Sequence, residues 1–356
     1  MLKIAVIGAA GYTGYELLKI LGKHKFADVI LATSNSNKGK TVGEVFPSLS
    51  GYGSILKFES TEGIKKDGIN KSDVVFLCLP PYESMEFAGR YLSEFTGSII
   101  DIGSDFRLQD EGDYCFWYGR EHSEKKLLGE FVYGLPEVNF HEIKKAKNIA
   151  NPGCYPTSIL LGLAPLLKKH TGPAFSNNDF EVEDINIDSK SGVSGAGKKL
   201  KEQYLFCSVN ENFYAYSATM HRHIGEIEQE LKKYSSRDLK ICFTPHLLPV
   251  DRGIFSSIYC RVKTSKKENE IKEYIEGIYI EFYRECSFVK FLGENIPQIK
   301  NVAHTNFCHI GYALDGRTKV LKIFSAIDNL VKGAAGQAVQ NMNIIFDLNQ
   351  QEGLDG

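Results

Sequence analysis

The stretch "NPGCYPTS", Asn151 to Ser158, sets a thiol between Pro-Gly and a second proline, directly before the apolar run "ILLGLAPLL". That run reads as a helix from Ile159, capped by Thr157 or Ser158 and kinked or ended by Pro165. Cys154 then sits just before a helix N-terminus, where partial positive charge favours thiolate. A cysteine so placed can be a nucleophile, a packed side chain or a metal ligand, and the stretch alone leaves all three open. A nucleophile needs a base within hydrogen-bond reach. "MHRHIGEIEQEL", Met220 to Leu231, offers His221 and His223, which a strand would turn to one face. His246 in "FTPHLLP" is a weaker candidate base. No His-x-x-x-His spacing and no neighbouring cysteine supports zinc, so no metal is expected.

Gly8, Gly11 and Gly14 form G-x-x-G-x-x-G between a short apolar strand and a helical pattern. Glycines there permit a tight turn and a close approach to a pyrophosphate, which the helix N-terminus attracts. An NAD site ends its second strand in an acid that meets the ribose hydroxyls. Here that strand runs into "ATSNSNKGK", with Thr33, Ser34, Lys38 and Lys40, so NADP(H) is the expected cofactor. "SKSGVSGAGKK", Ser189 to Lys199, is a small-residue loop able to bring N–H groups to an anion, or simply a surface loop. Arg107, in "GSDFRL", follows a strand end where open parallel sheets bind ligands; a guanidinium there suits a phosphate or carboxylate, or an ordinary ion pair. A dinucleotide fold, then a thiol, then a histidine point together to reductive acyl transfer between an acyl phosphate and an aldehyde.

These residues need a scaffold. Unalternating apolar strands at Lys3–Ile7, Asp28–Ser34, Asp73–Pro80 and Gly97–Gly103, separated by helical stretches, predict a parallel doubly wound sheet. From about residue 180 the pattern alternates in "FEVEDINID", "LKICFTPHLLPV" and "IFSSIYCRV", which predicts an antiparallel sheet with one covered face. "NLVKGAAGQAVQNMNIIF" reads as one long helix and "NQQEGLDG" as a frayed tail.

The chain also resembles the N-acetyl-gamma-glutamyl-phosphate reductases, within the wider aspartate-semialdehyde dehydrogenase group. "GAAGYTGYELL", "DIGSDFRL", "YGLPE", "NPGCYPTS", "SGVSGAG", "HRHIGEIEQ", "FTPHLLPVDRGI" and "IDNLVKGAAGQAVQNMN" carry the likeness in order along almost the whole chain. The resemblance implies α/β plus α+β architecture. Residues 1–153, with a returning C-terminal helix at about 327–350, would form the Rossmann NADP-binding domain. Residues 154–326 would form a glyceraldehyde-3-phosphate-dehydrogenase-like catalytic and dimerisation domain. It implies Cys154 as the nucleophile and His221 as the acid/base. Gly8, Gly11, Tyr12, Thr13, Gly14, Ser34, Pro80, Ser191, Gly192 and Asn329 would contact the cofactor. Arg107, Asn151, Tyr216, His223 and Glu226 would contact substrate, with Arg107 binding phosphate. The implied reaction is NADPH-dependent reduction of N-acetyl-L-glutamyl 5-phosphate, the third step of arginine biosynthesis, in a homo-oligomer expected to be a tetramer. Two departures stand out: Gly225 replaces a common proline, and "LCLPPYES" replaces Leu-Pro-His-Gly.

The bulk properties agree with a small-molecule enzyme. The 356 residues are 43% hydrophobic and 24% charged, with a formal net charge of -2, so no field favours nucleic acid or an anionic membrane. No apolar run reaches the ~18 residues of a membrane span. Eight cysteines without a C-x-x-C pair and an N-terminus that enters a strand at once make a cytoplasmic location the expectation.

Overall fold

The computed structural model describes residues 1–92, 94–168, 180–234 and 239–354. The chain divides into two units, Met1–Gly153 with Gly333–Gly356, and Cys154–Lys332. The returning segment, expected at about 327–350, is Gly333–Gly356 in this division, and the last strand of the second unit runs to Ile327.

The first unit holds seven strands: β1 (Leu2–Ile7), β2 (Ala27–Thr33), β3 (Phe58–Glu59), β4 (Val74–Leu77), β5 (Ser98–Asp101), β6 (Phe131–Tyr133) and β7 (Asn148–Ala150). They pair in parallel in the order β3-β2-β1-β4-β5-β7-β6. Order reverses between β1 and β4, the switch point where such sheets bind ligands at their C-terminal ends. β4 is buried at every residue, as a parallel strand covered on both faces must be. The tail is not frayed over its described part. Asn343 Nδ2 donates to the carbonyls of Gln350 and Glu352, its Oδ1 lies 2.9 Å from His24 Nε2, and Leu354 is buried. Residues 355–356 lie outside the described residues.

The second unit holds β8 (Glu181–Gly192), β9 (Tyr214–Ala215), β10 (Ile241–Leu248), β11 (Ile254–Lys263), β12 (Val289–Phe291), β13 (Cys308–Asp315) and β14 (Val320–Ile327). The order is β12-β13-β14-β11-β8-β10-β9. The sheet is mixed rather than antiparallel: β8 runs parallel to β10 and β12 to β13. The helix His223–Lys232 lies between β8 and β10 in the chain and makes that connection a crossover. Alternation reports a half-covered face, not strand direction.

Against this sheet packs the helix Cys154–Leu167, buried from Tyr155 to Leu166. It starts at Cys154 itself, so Thr157 and Ser158 do not cap it; both lie inside it and are fully buried. Ser158 Oγ donates to Ser256 Oγ at 2.9 Å and lies 3.2 Å from Ser325 Oγ, while Ser189 Oγ is 2.7 Å from Ser256 Oγ. Ser189, Ser256 and Ser325 are register partners on β8, β11 and β14. Nor does Pro165 end the helix. Its missing N–H leaves the Leu161 carbonyl without a helical donor, and the Tyr283 hydroxyl donates to that carbonyl instead. Tyr279, one turn earlier on its own helix, donates to the Gly162 carbonyl.

This accounting is testable. Tyr283→Phe should lower stability by about 1–3 kcal/mol in urea unfolding, the cost of an unmet buried acceptor. Adding Pro165→Ala, which restores the helical N–H, should recover most of it. A Tyr283→Phe protein as stable as the parent would show that the carbonyl is otherwise satisfied.

Candidate active site

Cys154 is the first residue of the buried helix and keeps partial exposure where the next twelve residues have almost none. The first turn carries no acidic side chain that would offset its positive end. A packed ring cluster adjoins it. Tyr155 meets His221 edge to face at 5.7 Å, His223 at 5.9 Å and Phe243 at 5.3 Å. His221 lies 4.7 Å from His223 and 5.8 Å from Tyr216. The Tyr155 and Tyr216 hydroxyls are 3.0 Å apart. Burial pushes both phenols well above their ordinary range, and the Cys154 charge adds to the rise. The thiol and both hydroxyls therefore share one environment.

His221 and His223 are not on a strand. His221 precedes the helix His223–Lys232, and its Nδ1 accepts the His223 backbone N–H at 3.2 Å. That bond assigns the ring proton to Nε2, leaving Nε2–H as a donor. Burial, and then the Arg222 charge, lower the His221 pKa to about 4, so the ring is neutral at pH 7. Glu226, one turn on from His223, is buried.

The nucleotide cradle belongs to the first unit. Gly8 has φ +81°, and a Cβ there would lie 2.5 Å from the Cys78 carbonyl oxygen. A Cβ on Gly14 would lie 2.5 Å from the Ala9 carbonyl oxygen. The chain's own packing thus requires both. A Cβ on Gly11 would meet nothing nearer than 3.9 Å, which leaves room on that side of the turn. Gly11 begins the helix Tyr12–Leu21, whose first turn has neither a capping side chain nor an acid. Tyr12 is exposed and Thr13 half-buried in that turn. Thr33 holds the turn from β2: its hydroxyl accepts the Gly8 N–H and its carbonyl the Ala9 N–H. Ser34 Oγ lies 3.3 Å from Ser36 Oγ and accepts from Asn37, and Lys38 and Lys40 are exposed beyond them. These features fit a dinucleotide. Pairing also brings Glu59 of β3 opposite Thr33, an acid that reading β2 alone did not reveal.

The other residues expected to contact ligands have these surroundings. Arg107 is buried, with Nε donating to the Asn151 carbonyl at 2.8 Å and Nη2 to the Ile102 carbonyl at 3.0 Å. The Asn151 side chain donates to the Ala334 carbonyl and accepts from Asn341, so its amide serves the first unit's interior. Gly192 has its Cα backed against the 251–252 backbone, where a Cβ would lie 2.6 Å from the Asp251 carbonyl oxygen. Asn329 accepts the Gly253 N–H at 2.7 Å and donates to Ser194, which binds the small-residue loop. It precedes the final helical segment, which opens with a π-helical turn at Val331–Ala335. Ser191 is buried, and its hydroxyl donates to the Gly192 carbonyl at 3.0 Å. Pro80 is exposed beyond β4.

Two family models match the chain: "Semialdehyde dehydrogenase, NAD binding domain" over residues 3–146 and "Semialdehyde dehydrogenase, dimerisation domain" over residues 154–329. A curated N-acetyl-gamma-glutamyl-phosphate reductase of Pelotomaculum thermopropionicum is 48% identical over 99% of this chain and 98% of its own length. The chain belongs to the N-acetyl-gamma-glutamyl-phosphate reductases, within the semialdehyde dehydrogenase family. The relative of that name in Geobacter sulfurreducens is 46% identical over 100% of this chain and 99% of its own. The fold is that of aspartate semialdehyde dehydrogenase II of Vibrio cholerae (TM-score 0.70, 18% identity, covering 98% of both chains). The NADP complex of the Candida albicans aspartate semialdehyde dehydrogenase has the same fold (TM-score 0.69, 15% identity, 97% of this chain and 99% of that one).

Within the reductases, the departure at "LCLPPYES" now has a local account. Tyr82 stands where the resembled pattern has glycine and keeps a left-handed backbone, φ 75°. That conformation costs a non-glycine residue about 1–2 kcal/mol. Its N–H donates to Asp105, its hydroxyl to the Tyr118 carbonyl, and Arg120 lies 5.0 Å over its ring.

The His221 geometry sets a pH signature. A lowered pKa in the folded state means that the unfolded chain binds the proton more readily. Stability contributed by this ring is therefore full above about 6.5 and is lost as pH falls toward 4. NMR titration of the His221 ring should find a midpoint near 4 and a proton on Nε2 at neutral pH. A midpoint near 6.5 would contradict the enclosed, neutral ring.

Proposed function

We propose that this chain reduces N-acetyl-L-glutamyl 5-phosphate with NADPH to N-acetyl-L-glutamate 5-semialdehyde and phosphate, in the arginine pathway of the cytoplasm. The observation that carries the reading is Cys154 at the N-terminus of the buried helix, next in the chain to Tyr155, which packs against His221, in a chain 48% identical to a reductase of that name. The Cys154 thiolate attacks the acyl carbonyl. A C–S bond forms, the C–O bond to phosphate breaks, and phosphate leaves with the electron pair. The bound cofactor supplies hydride to the resulting thioester. The Cys154 N–H, at the helix N-terminus, and the His221 Nε2–H stabilise the oxyanion at each tetrahedral stage. Collapse expels the aldehyde and restores the thiolate. His221 serves here as a donor, since Nδ1 is engaged by the His223 N–H.

Gly8, Gly11, Tyr12, Thr13 and Gly14 would hold the pyrophosphate, and Ser34 with Lys38 and Lys40 the 2′-phosphate. Ser191, Gly192 and Asn329 would shape the small-residue loop for the cofactor. Tyr216, His223 and Glu226 would contact the acyl chain. Arg107 and Asn151 would act through the backbone that leads into Pro152-Gly153-Cys154. The second unit's match to a dimerisation domain supports a homo-oligomer, and light scattering should report a tetramer.

The reaction is read in reverse, with N-acetylglutamate semialdehyde, NADP and phosphate, following NADPH absorbance. Aspartate semialdehyde and N-acetylaminoadipate semialdehyde serve as parallel substrates. Turnover should require phosphate and the first substrate. Cys154→Ser should abolish it while NADPH still binds. Turnover with another semialdehyde alone would keep the chemistry and change the substrate. NADPH binding without any turnover would overturn the reading.

A further inference from the structure

We propose that Phe213 and His246 form a clasp that positions Tyr216 beside Cys154, an inference that rests on the reaction proposed above. Between the end of β8 and the helix His223–Lys232 the chain has only short helical turns and the two-residue strand β9. Its apolar side chains are mostly exposed: Leu200, Leu205, Phe206, Phe213 and Met220. Glu211 and Ser217 take positive φ, 58° and 45°, on either side of β9. Such backbone persists only where tertiary contacts hold it.

Four contacts hold this segment at β10. Ala215 pairs with His246 and Tyr214 with Leu247. The Tyr216 N–H donates to the Pro245 carbonyl at 3.0 Å. Phe213 stacks on the His246 ring, 5.0 Å between centroids and 16° between planes, although Phe213 is 52% exposed. The imidazole also faces an acid. Its Nδ1 lies 3.1 Å from Asp188 Oδ1, which lies 2.6 Å from Lys190 Nζ. On the other side, the His246 carbonyl accepts the Tyr155 hydroxyl at 3.3 Å, and that hydroxyl is 3.0 Å from the Tyr216 hydroxyl. His246 thus holds Tyr216 from both ends: through Phe213 along the segment, and through Tyr155 at the thiol. A half-exposed phenylalanine gains little by burial here, so its stack is accounted for by what it positions.

The test uses the full-length protein in the reverse assay, with Phe213→Ala, Phe213→Trp, Tyr216→Phe and the Phe213→Ala/Tyr216→Phe double variant. Phe213→Ala should raise KM for the semialdehyde about tenfold, with KM for NADP and the melting curve unchanged. Phe213→Trp, which keeps the stack, should stay within about twofold of the parent. In the Tyr216→Phe background, Phe213→Ala should add less than about twofold, because its effect runs through Tyr216. Effects that multiply in the double variant, or a Phe213→Ala enzyme equal to the parent, would overturn the clasp. Fluorine NMR of 3-fluorotyrosine at position 216 reads it without turnover. Phe213→Ala must shift or broaden that resonance and Phe213→Trp must not; an unchanged resonance overturns the clasp. Absence of turnover in the parent, with the resonance responding as expected, would instead overturn the reaction.

Discussion

A helix buried along twelve consecutive residues must satisfy every polar group without water, and the second unit is arranged around that demand. The helix opens at Cys154, its one partly exposed residue before the far end. Beneath its second turn a row of serine hydroxyls, one from each of three adjacent strands, receives Ser158. Near its C-terminus the Tyr283 hydroxyl meets the Leu161 carbonyl that Pro165 leaves without a helical donor, and the Tyr279 hydroxyl meets the Gly162 carbonyl. With both ends held, the thiol has a set place relative to the sheet. The thiol then sits at a helix N-terminus with no acid in its first turn, in the setting of a neutral histidine and two phenols whose burial disfavours their own ionisation.

The first unit solves a different problem with the same economy of groups. Gly8 and Gly14 are imposed by close backbone contacts inside the turn, while Gly11 faces open space. The turn is anchored from β2 by both the hydroxyl and the carbonyl of Thr33. A site for pyrophosphate is thus a consequence of how the strand, turn and helix pack. Nearby, Asp101 is buried with its Oδ2 lacking a hydrogen-bond partner among the described residues. Burial, and then the Asp105 charge, raise its pKa to about 7. Arg107 lies close enough to temper that rise while holding the Asn151 carbonyl.

What could be read from sequence divides along physical lines. The strands of the parallel sheet that were four residues or longer were legible, since burial on both faces leaves continuous apolar runs. β3, β6 and β7, of two or three residues, are too short to carry a period. The glycine turn and Cys154 were legible because their residue types are rare in that order. Their surroundings were not. Pro165 read as a helix breaker because its compensating hydroxyl comes from Tyr283, more than a hundred residues away. Thr157 and Ser158 read as caps because their burial in the sheet interface is a tertiary fact. The strand expected at His221 and His223 is a helix start, where Nδ1 of one ring accepts the backbone N–H of the other. The polar tail read as loose because its anchors, His24 and Asn343, lie at opposite ends of the chain.

The central claim is that Cys154 carries the acyl group. The direct measurement mixes the protein with N-acetylglutamate semialdehyde and NADP in the absence of phosphate. A burst of one NADPH per active chain should appear, with an N-acetylglutamyl group found by mass spectrometry on the peptide containing Cys154. Phosphate should then discharge it. NADPH formation without an adduct on Cys154, or an adduct on another residue, would contradict the account.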